Sequence, residues 1–231
     1  LKKWKKWISL LQFKKMGQEM FLKQNKFKLI IFYLLLFFDN TALSYDEKNF
    51  YYNFIDKINT FSSKFIQHTY DENGTIIKKS SGNLIYKKKL KYLLEYSKPN
   101  KVKFISDGKF ITTIDEDLEQ VIIQNQKKFY GNIFNIFTNK TLIEKNFNLT
   151  KSIINNEHYL KFTPIDKDIY YNIFLIVISN DKIKKITFMN DFDQSVTMIF
   201  SDFMANEIIL DSLFKIDIPD EFDVIVDNKK E

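Results

Sequence analysis

The sequence predicts a mainly β domain with some helix (α+β), built as a curved antiparallel sheet of about eleven strands. Three observations predict it. From Ser62 onward, short runs rich in Ile, Val, Phe, Tyr and Thr follow a period of two and alternate with turn residues. Before them, Tyr51, Phe54, Ile55, Ile58 and Phe61 recur at helical spacing behind Tyr45-Asp46-Glu47, whose acids suit the first turn of a helix. One stretch, Phe129–Phe147, lacks the period of two and sets Ile133, Ile136, Phe137 and Leu142 at helical spacing. It reads as one or two short helices inserted between strands.

The expected strands follow in order. Lys64–Tyr70 ends at the turn Asp71-Glu72-Asn73-Gly74. Gly82–Lys87 and Leu90–Tyr96 precede Ser97-Lys98-Pro99-Asn100. Val102–Ser106 and Lys109–Ile114 flank Asp107-Gly108, a two-residue hairpin signal. Leu118–Gln124 follows Asp115-Glu116-Asp117. Beyond the helical insert come Asn148–Ile154, His158–Thr163, Tyr170–Ser179, Lys182–Met189, Ser195–Phe203 and Phe214–Ile218. No repeat and no interdomain linker interrupts the series.

Alternation gives each strand two faces. Leu84 and Tyr86 share one; so do Tyr92, Leu94 and Tyr96, and so do Val196, Met198 and Phe200. Phe110, Thr112 and Ile114 oppose Ile111 and Thr113. A sheet of this many strands tends to curl, because twist accumulates. Its concave face would be lined with aromatic and branched side chains. Two readings of that face stand: an ordinary core under the helices, or an apolar cavity with a movable helical lid. Periodicity fits both.

The chain has 231 residues and a formal charge of +6, and every one of its 35 basic residues is lysine. Nine of them precede residue 45, against only Glu19 and Asp39, so the rest of the chain is close to neutral. Nucleic-acid binding thereby loses the clustered cations it needs on a folded domain. Leu29–Phe38 is an apolar run behind Lys23, Lys26 and Lys28, followed by small residues Ala42 and Ser44. This is the layout of a secretory signal peptide, with cleavage expected after Ser44 and a single domain over 45–231. The run is short of the about 20 apolar residues of a membrane span. The Lys-Trp-rich stretch before it reads as an over-extended reading frame, or as a basic amphipathic helix for a membrane surface.

Catalytic constellations are absent from the pattern. Zero cysteines exclude disulfides, thiolate metal sites and thiol nucleophiles. His68 and His158 lie on separate expected strands, without the spacing of metal ligands. No nucleophile elbow, phosphate loop or dinucleotide turn occurs. No enzyme activity, no metal and no cofactor is therefore expected.

Several fragments resemble one family when taken in order. They are Ile58-Asn59-Thr60-Phe61, Phe65-Ile66-Gln67, Gly82-Asn83-Leu84, Ile105-Ser106-Asp107-Gly108-Lys109, Asp117-Leu118-Glu119-Gln120-Val121 and Phe214–Pro219 with Phe222–Ile225. Together they resemble the LolA family of periplasmic outer-membrane lipoprotein carriers. The resemblance implies an unclosed β half-barrel with a helical lid over an apolar cavity, acting as a monomeric chaperone without a cofactor. Its implied partners are acylated lipoproteins, an inner-membrane lipoprotein-releasing ABC transporter and an outer-membrane acceptor lipoprotein. The acceptor itself shares the fold but is lipidated on Cys, which this chain lacks. By resemblance, Ile55, Leu84, Tyr92, Leu94, Phe104, Ile114, Ile136 and Phe137 would line the acyl cavity. Lys88 stands where the family usually has an arginine that latches the lid, and Leu94 where a Trp is common. Two other classes stay open: an exported module for another lipid or for sensing mislocalised lipoproteins, and an exported hydrolase.

Overall fold

The structure, a computed structural model, describes residues 44–126, 133–137, 140–165, 174–189 and 194–226. The expected signal at Leu29–Phe38 lies outside the described residues. Helix α1 spans Ser44–Asp56 and is followed by six strands: β1 Thr60–Tyr70, β2 Ile76–Lys87, β3 Lys91–Lys98, β4 Val102–Asp107, β5 Phe110–Asp115 and β6 Gln120–Asn125. A 3-10 turn at Ile133–Phe137 and helix α2, Lys140–Asn146, come next; together they are called the lid. Then follow β7 Phe147–Ile154, β8 Glu157–Pro164, β9 Phe174–Ser179, β10 Lys182–Met189, β11 Ser195–Ala205 and β12 Asp223–Val226.

All twelve strands form one sheet in the order β12-β6-β5-β4-β3-β2-β1-β11-β10-β9-β8-β7. It is two meanders joined where β1 pairs antiparallel with β11. The ends, β12 and β7, are not joined to each other, so the sheet is unclosed. The expected architecture holds, with local corrections. Phe61 belongs to β1, because the helix stops at Asp56. Its helical spacing from Ile58 is coincidental, and its ring stacks on Tyr86 of the neighbouring strand at 5.0 Å. Phe214–Ile218 is not a strand. A second 3-10 turn, Asp211–Phe214, leads into a non-strand strap, and the closing strand is β12, which pairs parallel with β6.

The turns explain the strand ends. Asp107 Oδ1 accepts from the backbone N–H groups of Lys109 and Phe110 at 2.7 and 2.8 Å, and Gly108 takes φ +96°. Only a residue without Cβ adopts that conformation cheaply. Asp71 and Asp115 cap their turns in the same way. Gly82 serves a different end: a Cβ there would run into the Glu95 carbonyl and meet the Phe65 ring. Its absence lets Phe65 and Tyr96, in register on either side of Gly82, meet edge to face at 5.1 Å.

The buried residues form two clusters. The main one fills the concave face and joins α1, the lid and strands of both meanders. The second is small and aliphatic: Ile105, Ile114 and Val121, with Leu93, Ile123, Ile216, Ile218 and Phe222 packed against it. It lies where the strap crosses the opposite face of β3–β6.

Candidate functional site

Strand register assembles the concave face as rows. Phe61, Tyr86 and Tyr92 are cross-strand neighbours on β1, β2 and β3. Beside them run Ser63, Leu84, Leu94 and Phe104. The third row is Phe65, Gly82, Tyr96 and Val102. Cross-strand pairs on one face stand close enough to pack directly, so three short strands present a continuous aromatic floor.

The lid lies on this floor. The Phe134 ring centroid is 4.3 Å from that of Tyr92, and Phe137 is 5.7 Å from Tyr86 and 5.9 Å from Phe61. Phe134, Ile136 and Phe137 are buried, as are Leu84, Tyr86 and Tyr92 beneath them. Ile55 joins the same cluster from α1, while Leu94 and Phe104 pack against it half-buried. Seven of the expected cavity residues therefore gather around one lidded surface. The lid's own side chains occupy it.

Ile114 does not join them and is a correction. It is part of the second cluster, while its neighbour Ile111 is in the main one. The resemblance placed Ile114 in the cavity, but β5 is covered on both faces: Ile111, Thr112 and Ile114 are all buried. A strand buried on two sides loses the polar-out signal that marks its inner face.

The lid is fastened mainly by α1. The Tyr51 hydroxyl, fully buried, donates to the Ile136 carbonyl at 3.1 Å. Burial pushes its pKa well up, so it remains a neutral donor. Tyr52 donates weakly to the Lys140 carbonyl at 3.5 Å, and the Lys140 ammonium sits over the Tyr52 ring at 5.2 Å. Burial, then the neighbouring Glu144, pushes Tyr52 up to about 12. Lys140 Nζ meets Asp56 Oδ2 at 2.6 Å. Lys140 opens its helix and Asp56 closes one, so each charge stands at the helix end that disfavours it. Their pairing offsets that conflict and ties α1 to the lid. Periodicity marked none of these four as fastenings, because nothing in a sequence says which carbonyl a tyrosine will reach.

Lys88, the expected latch, meets the end of α1 among the described residues. Its ammonium donates to the Asp56 carbonyl at 2.9 Å, and its backbone N–H donates to the Asn59 carbonyl at 2.8 Å. It caps the carboxyl end of α1, a favourable place for a cation. Among the described residues it touches the helix that holds the lid, not the lid.

At the far end of the floor a cleft of about 240 Å³ opens among Gln67, Ser80, Tyr96 and Phe104, rimmed by Lys78 and Lys98. Tyr96 donates to Gln67 Oε1 there at 2.7 Å. Among the described residues no group of three or more His, Cys, Asp or Glu is placed to hold a metal ion. His158 stacks on Phe50 at 4.5 Å, and His68 meets Tyr70 edge to face.

The model of the family "Outer membrane lipoprotein carrier protein LolA" matches residues 56–217. This chain belongs to the LolA family. A curated relative from Nitrosomonas europaea, an outer-membrane lipoprotein carrier protein, is 27% identical over 75% of this chain and 86% of its own length. One of the same name from Pseudomonas putida is 25% identical over 74% of this chain and 82% of its own length. Among solved structures, an uncharacterized conserved protein from Thermus thermophilus aligns with a TM-score of 0.50 at 9% identity, over 77% of this chain and 98% of that one. A LolA superfamily protein from Nitrosomonas europaea aligns with a TM-score of 0.42 at 12% identity, over 74% and 98%. Within this LolA-family chain, the described lid contacts use tyrosine hydroxyls, aromatic packing and a lysine–aspartate pair, with no arginine available.

Proposed function

We propose that the protein is a periplasmic chaperone that carries acylated lipoproteins between two membranes. It accepts them from an inner-membrane ABC transporter and passes them to an outer-membrane acceptor lipoprotein. It does so as a non-enzymatic monomer. The observation that supports this reading best is the aromatic floor under a lid fastened by few bonds.

The physics suits a shuttle. Each methylene taken out of water contributes about 0.8 kcal/mol, so a free acyl chain re-enters a membrane or aggregates. A pre-formed empty cavity would hold such a chain too tightly to release it. Here the incoming chain displaces Phe134, Ile136 and Phe137 from the floor and takes over contacts they already make. Only the difference between the two sets drives loading, which keeps it reversible. The cavity residues on this reading are Ile55, Leu84, Tyr92, Leu94 and Phe104 below, with Ile136 and Phe137 on the lid.

The test is release. Purified protein incubated with energised inner membranes carrying the transporter and a lipoprotein should yield a soluble one-to-one complex with that lipoprotein. No soluble complex, alongside uptake of free lipid by the same protein, would replace the carrier reading with that of a lipid-binding module.

A further inference from the structure

Tyr86 is 1% exposed and its hydroxyl has no hydrogen-bond partner. It is the one buried, partnerless polar group among the described residues that lies in the main cluster. Register places it on the concave face between Phe61 and Tyr92. Its ring is stacked on Phe61 at 5.0 Å, with Phe134 at 6.3 Å and Phe137 at 5.7 Å, so the lid covers it. Two other tyrosines around the same floor are satisfied: Tyr51 donates to Ile136 and Tyr96 to Gln67.

A buried hydroxyl without a partner is a cost that a phenylalanine of the same shape would avoid. The closed lid offers Tyr86 nothing in return, so the return belongs to another state. When the lid lifts, the group facing the hydroxyl is the ligand. An acyl group is methylene throughout except for one strong acceptor, its carbonyl, and phenylalanine rings supply no donor to it. Burial pushes the Tyr86 hydroxyl far above the physiological range, so it stays protonated.

We propose that Tyr86 is the polar anchor of the acyl site, its hydroxyl donating to the ester or amide carbonyl of the bound acyl group. This rests on the reading of the lidded face as an acyl site, and deepens it. The rings around Tyr86 take up hydrocarbon without direction; the hydroxyl fixes where along the chain the carbonyl stops. Tyr86 thus sets the depth of insertion and separates acyl esters and amides from plain alkyl chains.

The experiment compares monopalmitoylglycerol with hexadecylglycerol, its ether analogue lacking the carbonyl. Both displace an apolar fluorescent probe from the wild-type protein and from Tyr86→Phe. One net hydrogen bond corresponds to about two- to tenfold in affinity. The wild type should prefer the ester by that factor. Tyr86→Phe should lose the preference through weaker ester binding alone, with ether binding unchanged and the denaturation midpoint of the empty protein no lower. Retention of the ester preference by Tyr86→Phe overturns the proposal. So does equal binding of both lipids by the wild type, a comparison that needs no variant and leaves the acyl reading intact. If neither lipid displaces the probe from the wild type, the acyl reading fails and the anchor with it.

Discussion

The two apolar clusters are made differently. The main cluster is rich in aromatics, and its cover over β1–β3 is a five-residue 3-10 turn fastened to α1. It contains a hydroxyl with no partner. The second cluster has three buried aliphatic side chains and is covered by a strap that continues into β12, itself paired with β6. The strap is also held at its start: Asp211 pairs with Lys87 and Lys91 at 2.7 and 2.8 Å, and Lys87 donates to the Ile209 carbonyl at 2.8 Å. A cover that ends in a strand cannot lift without breaking the sheet. A cover held by a few side-chain bonds can. The difference separates a face whose cover is fastened by side chains from a face whose cover is built into the sheet.

The strongest way to break the comparison is to place one carboxylate in each region. A buried carboxylate with no partner costs several kcal/mol. Under the strap there is no way to relieve it, so Ile114→Glu should unfold the domain, seen as loss of the β circular dichroism signal. Tyr92→Glu should instead expel Phe134, leaving the sheet folded, the lid open and lipoprotein transfer lost. Unfolding of both variants to the same extent would end the distinction.

A gentler test is Phe137→Ala. Truncating a rigid-core Phe costs about 3–5 kcal/mol of global stability. If the lid is separable, the global loss should be smaller than that, while uptake of an apolar probe by the empty protein rises about tenfold or more. A full core-sized loss without added uptake would place the lid in the rigid core.

Asp56→Asn removes the Lys140 partner from a pair whose side chains are 42% and 56% exposed. Exposed pairs contribute about 0.2–1 kcal/mol, so probe uptake should rise by no more than about fivefold. The difference should shrink at molar salt. No response at any ionic strength would remove the pair from the lid's fastenings.

The smallest effect concerns pH. Hydrogen bonds from Lys87, then Lys91, hold the Asp211 carboxyl down from 3.8 to about 2. A carboxylate with a depressed folded pKa stabilises the fold above its unfolded pKa. That stabilisation is lost as pH falls through the folded value. Asp211→Asn should therefore flatten the stability curve between about pH 4 and pH 2 and leave its slope near neutrality unchanged. An unaltered acid limb would show that the strap is held without Asp211.

The sequence revealed what depends on local chemistry. The Asp107-Gly108 hairpin was legible because a two-residue turn has its own signature, and the floor residues Leu84, Tyr92 and Leu94 because their strands alternate cleanly. β12 was legible only through the family resemblance at Phe222–Ile225, not from periodicity. Four residues carry no period worth reading, and their partner strand lies about a hundred positions earlier. Ile114 was misassigned for the same reason: the strap that buries it comes from a distant segment. Tyr51 and Lys140 escaped notice as lid contacts because their partners depend on what stands opposite them, which only folding decides.

The position of β1 at the centre of the sheet has a consequence for folding. Strands β1 to β6 are consecutive neighbours and can pair early as the chain folds. The other side of β1 must wait for β11, because Phe61 pairs with Ala205 and Tyr70 with Ser195. Contacts so distant in sequence form late. Until then the folding chain displays an unpaired strand, Thr60–Tyr70, carrying Phe61 and Phe65. An open strand of that length is a template for any passing chain. Pairing of β1 with β11 is thus the step that withdraws this template from solvent.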